Sequence, residues 1–160
     1  MNTTPPKPNT QPLSRGDGPR TVRCQCGAVS FETPTGRPIA LFHCHCTECQ
    51  RQSGSAFSTS AIYPAEGLFP LSNKLKPKLA LYTREANSGR TMDCYFCCLC
   101  GNRLFHRLRA RDGQPLPNIS IKGGCIDRLD WTGGKHIYVC SAVMDLPAEW
   151  EKYQTIPYMG

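Results

Sequence analysis

The sequence predicts a mainly β protein built from short strands joined by turns. Three observations carry this reading. Fourteen glycines and 14 prolines in 160 residues break the chain too often for long helices. The apolar residues stand in short groups separated by turn formers, the pattern of strands rather than of a helical face. Seven of the eleven cysteines gather as Cys24-x-Cys26, Cys44-x-Cys46-x-x-Cys49 and Cys97-x-x-Cys100, and the C-x-C pairs would share one face of an extended segment.

Residues 1–20 are rich in proline and lack aromatics, so they cannot bury enough surface to offset their ordering entropy. A disordered tail is expected there, with residues 21–160 as a single domain. Thr21 to Phe31 reads as two short strands meeting at Gly27. In an extended segment side chains two apart share a face, so Cys24 and Cys26 can chelate one ion together. Leu41 to Cys46 repeats that device, and Thr47-Glu48-Cys49 is expected to bend back as a knuckle. Ser53 to Phe57 then runs into another strand.

Between Tyr63 and Arg90 the prolines and glycines predict irregular loops with one strand around Leu79–Tyr82. A strand from Asp93 leads into the second knuckle, Cys97 to Gly101. The glycine just after that C-x-x-C can take positive φ at low cost and let the loop wrap an ion. Arg103–Arg109, Asn118–Lys122 and His136–Cys140 complete the strands.

Hydrophobic residues make up 39% of the chain, enough for one core, and the charge of +7 suits an anionic small molecule, a nucleic acid or a soluble surface. The basic residues lack an interleaved array of stacking aromatics, which argues against nucleic acid. Neither a signal-peptide core nor a membrane-spanning run is present in the sequence, so cytoplasm or nucleus is expected. Thiols stay reduced there, and an odd cysteine count does not complete a disulfide framework. Clustered thiolates in such a compartment are best stabilised by a soft cation, and zinc is the expected one.

Seven cysteines sit in chelating spacings, and a closed tetrahedral zinc site takes four. Four plus three is the natural division, leaving one site closed and one with an open coordination position suited to catalysis. Spacing alone does not say which cysteines pair. His45 lies between two ligands and should point to the opposite face. Cys94, Cys125 and Cys140 fall in apolar contexts and are expected to be buried hydrophobes.

Three ordered motifs carry a resemblance: C-x-C-G-x-V-x-F over Cys24–Phe31, C-H-C-x-x-C-x-x-x-S-G-S-A-F over Cys44–Phe57, and F-C-x-x-C-G-x-x-L over Phe96–Leu104. In these the chain resembles the glutathione-dependent formaldehyde-activating enzyme family, which also contains centromere protein V. The resemblance implies a β-tent-like fold of small twisted antiparallel sheets pinned by a structural zinc on Cys24, Cys26, Cys97 and Cys100. A second, catalytic zinc would use Cys44, Cys46 and Cys49, with glutathione as co-substrate and fourth donor. The implied activity is that of a carbon–sulfur lyase forming or cleaving a thiol adduct of a small carbonyl compound. The alternatives are a glutathione-independent isomerase or epimerase of a larger carbonyl metabolite, and a non-catalytic binding module. A chromatin-binding arm would carry a denser positive run than Lys7, Arg15, Arg20 and Arg23 provide, which leans against the module.

His43 and Glu48 flank the ligands and, with Asp127 after the Gly123-Gly124 pair, are the candidates for proton transfer. Gln50, Ser53 and Gly54 follow the second motif and are candidates to line a substrate pocket; the family often has Arg where Gln50 stands. Arg107 and Arg109 share one strand face and are candidates to meet an anionic substrate. The loops at 63–90 and 107–118 are expected to shape the pocket.

Overall fold

In the computed structural model, residues 18–157 are described. Most of the expected tail, residues 1–17, lies outside them; Arg20 is held in place, its amide donating to Thr33 Oγ1 at 2.8 Å. The chain is mainly β. Strands β1 (Thr21–Arg23) and β2 (Ser30–Glu32) form an antiparallel hairpin around Gly27, whose φ of 77° places it where glycine is favoured.

The remaining strands are β3 (Ala40–Cys44), β4 (Ser58–Pro64), β5 (Leu79–Glu85), β6 (Thr91–Cys97), β7 (Arg103–Leu108), β8 (Asn118–Lys122) and β9 (Lys135–Ile137). They make one seven-stranded sheet in the order β5-β6-β7-β8-β4-β3-β9. Small antiparallel sheets were the expectation; the larger sheet is instead mixed, because β9 pairs with β3 in parallel. A parallel partner needs a long crossover, and the chain between β3 and β9 supplies one.

The segment expected to bend as a simple knuckle is a helix, α1 (Thr47–Ser53). Cys46 is its N-cap, with Sγ accepting the Cys49 N–H at 3.4 Å, and Glu48 favours the positive end of the helix dipole. Gly54 ends the helix at φ 61°. The last strand is also shorter than expected. Tyr138 takes φ 56°, so β9 stops at Ile137 and a 3-10 turn, Val139–Ser141, follows. Cys140 is therefore exposed rather than buried, whereas Cys94 is fully buried and Cys125 partly so.

The core lies under β1, β4, β6, β7 and β8, around Val22, Ala61, Tyr63, Leu104, Phe105 and Ile121, all with no exposed surface. Phe105 is its hub, stacked on Tyr95 at 4.7 Å and meeting the edges of Phe31 and Phe69 at 5.6 and 6.0 Å. Removing that ring leaves a cavity among aromatics that cannot collapse onto it. Phe105→Ala is therefore expected to cost about 3–5 kcal/mol in a denaturant titration. A loss under about 1 kcal/mol would place the packing centre elsewhere.

Candidate metal centres

Two groups of thiols are drawn together from distant parts of the chain. Cys24 and Cys26 stand at the end of β1 and in the turn beyond it, and Cys97 and Cys100 in the corresponding turn between β6 and β7. Each turn closes in the same way: the Gly27 amide donates to the Cys24 carbonyl at 3.0 Å and the Gly101 amide to the Cys97 carbonyl at 2.9 Å. Gly101, at φ 73°, matches Gly27. The Gln25 amide donates to Asn102 Oδ1 at 3.0 Å, tying one turn to the other.

All four sulfur atoms lie within 4.8 Å of one another, with Cys24–Cys26 at 3.5 Å and Cys26–Cys97 at 3.8 Å. A tetrahedral ion with bonds of about 2.3 Å to sulfur requires edges of about 3.8 Å. The sulfur cage thus matches a four-coordinate soft cation. The Val29 amide donates to Cys24 Sγ at 3.2 Å, and the Asn102 amide lowers the Cys100 thiol to about 6. The neighbouring sulfurs push Cys26 up to about 12, so the amides favour thiolates at Cys24 and Cys100.

The second group joins Cys44 at the end of β3, Cys46 at the helix cap and Cys49 in the first turn of α1. Their sulfurs also lie within 4.8 Å of one another, and no fourth His, Cys, Asp or Glu of the described residues joins them. The donor set is three thiols, which fits a metal that keeps one position for an outside ligand. Hydrogen bonds from the sulfurs of Cys44 and Cys49 bring Cys46 down to about 2 while Cys44 and Cys49 are pushed up, so the negative charge of this group rests on Cys46. His45 turns away from it, its Nε2 hydrogen-bonded to His136 Nδ1 at 2.9 Å.

The other expected site residues fall in several places. Gln50 donates from Nε2 to the carbonyls of His45 at 2.6 Å and Ser141 at 2.8 Å, locking α1 against the 3-10 turn. Ser53 Oγ donates to the Cys49 carbonyl at 2.7 Å, and Gly54 caps the helix. Glu48 is engaged with Arg51 at 2.9 Å, and His43 Nδ1 bonds Thr59 Oγ1 at 2.8 Å. Asp127 pairs with Arg23 at 2.7 Å. Arg107 donates to the Leu116 carbonyl and lies over the Phe69 ring, and Arg109 pairs with the buried Asp93 at 2.6 Å.

An open cleft of ≈ 890 Å³ runs from the first thiol group to α1. Cys24, Cys26, Arg103, Gln52, Ser53 and Lys122 are among its walls, and Asp127 lies on its rim. Neither Arg107 nor Arg109 lines it, and neither does any residue of the 63–90 or 107–118 loops, so those loops do not shape this cleft. Sequence reasoning missed Lys122 and Gln52. Strand alternation with Ile119 and Ile121 inward sends Lys122 to the other face, which reads as solvent; here that face is covered, and Lys122 is 7% exposed.

A histidine cluster was also missed. His43 and His136 have ring centroids 4.7 Å apart, and His136 stacks on Trp150 at 4.4 Å. Burial holds all three histidines below their usual range, His136 at about 4. The unfolded chain takes up a proton at His136 near pH 6.5 and the folded chain only near 4, and His43 and His45 shift in the same direction, so stability rises with pH across that window. The melting temperature is expected to fall from pH 7 to pH 5, and His136→Phe to flatten that slope. A variant with the parental slope would remove His136 from the account.

Comparisons with known proteins agree with this geometry. The model of the glutathione-dependent formaldehyde-activating enzyme family matches residues 19–141, a span that includes both thiol groups. A protein of Penicillium rubens, provisionally named a glutathione-dependent formaldehyde-activating enzyme, is 32% identical over 88 residues. The shared stretch covers 54% of this chain and 43% of that relative. A family match over most of the chain, with its seven cysteines gathered into two chelating groups, settles the kinship: this chain belongs to the glutathione-dependent formaldehyde-activating enzyme family.

Proposed function

We propose that this protein is a zinc-dependent enzyme of the carbon–sulfur lyase type, forming or cleaving the adduct of glutathione with a small carbonyl compound, formaldehyde by family kinship. The observation that carries the proposal is the second thiol group, with three sulfurs where a closed site would have four. The first group, Cys24, Cys26, Cys97 and Cys100, is structural in this reading, and residues 21–160 act as one domain. In the forward direction the thiol sulfur bonds to the carbonyl carbon, the C=O π pair moves to oxygen, and that oxygen takes a proton. Zinc on Cys44, Cys46 and Cys49 would supply the lowered pKa that makes a bound thiol a thiolate near neutral pH.

The chain's own residues do the rest. Gln50 and the α1 cap fix the three sulfurs relative to one another. Of the three proton-transfer candidates only Asp127, paired with Arg23, lines the cleft, which supports it as the group that exchanges a proton with a bound ligand; Glu48 pairs with Arg51 and His43 bonds Thr59. All eleven cysteines are free, which supports a reducing compartment such as the cytoplasm. No helix of the described residues is long and apolar enough to cross a membrane.

The test is exchange NMR of ¹³C-formaldehyde and glutathione with the zinc-loaded protein. Formation and breakdown of the hydroxymethyl thioether are expected to exceed the spontaneous rate, and Cys46→Ser to return them to it. A spontaneous rate with zinc fully bound would overturn the proposal. The cleft, far larger than formaldehyde alone, has room for glutathione and equally for a larger carbonyl compound, the substrate of a second reading, an isomerase or epimerase. Under it, turnover would not depend on glutathione.

A further inference from the structure

Lys122 is a buried cation with no carboxylate partner among the described residues. It is 7% exposed, and its ammonium reaches only the hydroxyls of Ser58 and Ser60, each at a long 3.4 Å. A desolvated ammonium with two weak neutral acceptors is costly unless a negative group completes its shell.

The sulfurs of Cys49 and Cys44 act on it as negative charges when ionised, but its hydrogen-bond shell holds hydroxyls only. Arg103, on the same cleft, donates from Nη1 to His106 Nε2 at 3.1 Å, and also lacks a carboxylate partner among the described residues. Arg23, at the rim, is already matched by Asp127. The cleft therefore holds two cationic side chains, Lys122 and Arg103, without a carboxylate partner among the described residues. Beside Lys122, Gln52 donates from Nε2 to Ser58 Oγ at 2.7 Å, and its Oε1 is buried with no partner. Ser58 thus links an ammonium seeking an acceptor to an amide oxygen seeking a donor.

We infer that this cleft is the carboxylate subsite of the thiol ligand: Lys122, with Arg103, holds a carboxylate, and Gln52 Oε1 accepts from the N–H carried next to it. The inference rests on the thiol reading for its substrate class, and it deepens that reading by naming the recognition group. A carboxylate with an adjacent N–H occurs at both ends of glutathione. Gln52 follows Cys49 by three positions on α1 and so stands on its side of the helix, which sets the subsite next to the three-thiol group. The cleft's ≈ 890 Å³ lies in the range of small-molecule sites, and Lys122 and Arg103 are of the sign a peptide carboxylate needs.

The test uses S-methylglutathione, which keeps the carboxylates and N–H groups but has no free thiol, titrated calorimetrically into the zinc-loaded chain. Lys122→Met is expected to weaken its binding by about ten- to a hundredfold, and Gln52→Leu by about tenfold, both with parental metal content. Absence of binding to the parent, or parental affinity in both variants, overturns the inference. So does loss of metal from Lys122→Met together with parental affinity in Gln52→Leu, since Lys122 would then serve to balance thiolate charge. If Lys122→Met does not fold, the Gln52→Leu affinity decides. Glutathione that leaves the spectrum of a cobalt-substituted protein unchanged, while S-methylglutathione still binds through Lys122 and Gln52, would sink the thiol reading and leave the subsite standing.

Discussion

Cys97→Ser is expected to abolish the cooperative thermal transition of the domain. Cys97 has no exposed surface and ends β6, a strand in the middle of the β5–β7 meander, while Cys24 and Cys26 belong to the separate two-stranded hairpin. A metal shared among them would tie the hairpin to the larger sheet, adding to the Gln25–Asn102 hydrogen bond and the packing of Val22. Structural zinc in such cages contributes about 10–16 kcal/mol, against a whole-domain stability of about 5–15 kcal/mol. Serine oxygen is a poor donor to a soft cation, so the substitution removes most of that contribution. A circular-dichroism melt with metal analysis reads the outcome, and a strong chelator added to the parent should reproduce it. A cooperative melt within a few degrees of the parent would make the first centre dispensable.

Cys46→Ser is expected to separate function from fold. Serine is a favoured helix N-cap, and its hydroxyl can take over the bond that Cys46 Sγ accepts from the Cys49 amide. The helix start is thereby kept while a thiolate is lost from a set of only three. One metal equivalent per chain should disappear, adduct exchange should fall to the spontaneous rate, and the melt should remain cooperative. The contrast with Cys97→Ser is the informative part: equal damage from both would mean that the two centres share one structural role.

What the sequence revealed and what it hid follow from where the chemistry is local. The strand and turn at Cys24-x-Cys26 and at Cys97-x-x-Cys100 were legible because ligand spacing, alternation and a following glycine agree over a few residues. The helix from Thr47 to Ser53 was not, because its cap is a cysteine and reads first as a metal ligand. The parallel pairing of Lys135–Ile137 with β3, and the turn that Tyr138 imposes, depend on contacts across most of the chain. Lys122 was hidden for the same reason, since its burial comes from what packs over a face that looks solvent-directed in sequence. Arg107 and Arg109 misled in the opposite sense: an alternating basic pair on a strand suggests a ligand, yet the contacts they make are with Leu116, Phe69 and Asp93.

The claim on which the rest depends is that the three-thiol centre accepts a thiol from outside the chain. Replacing the bound metal with cobalt(II) and recording the visible spectrum during a glutathione titration tests it directly. Growth of the thiolate-to-cobalt bands with a shift of the d–d bands, saturable in glutathione and absent in Cys46→Ser, is the result the account predicts. A spectrum that stays unchanged at saturating glutathione, with both centres loaded, would contradict it.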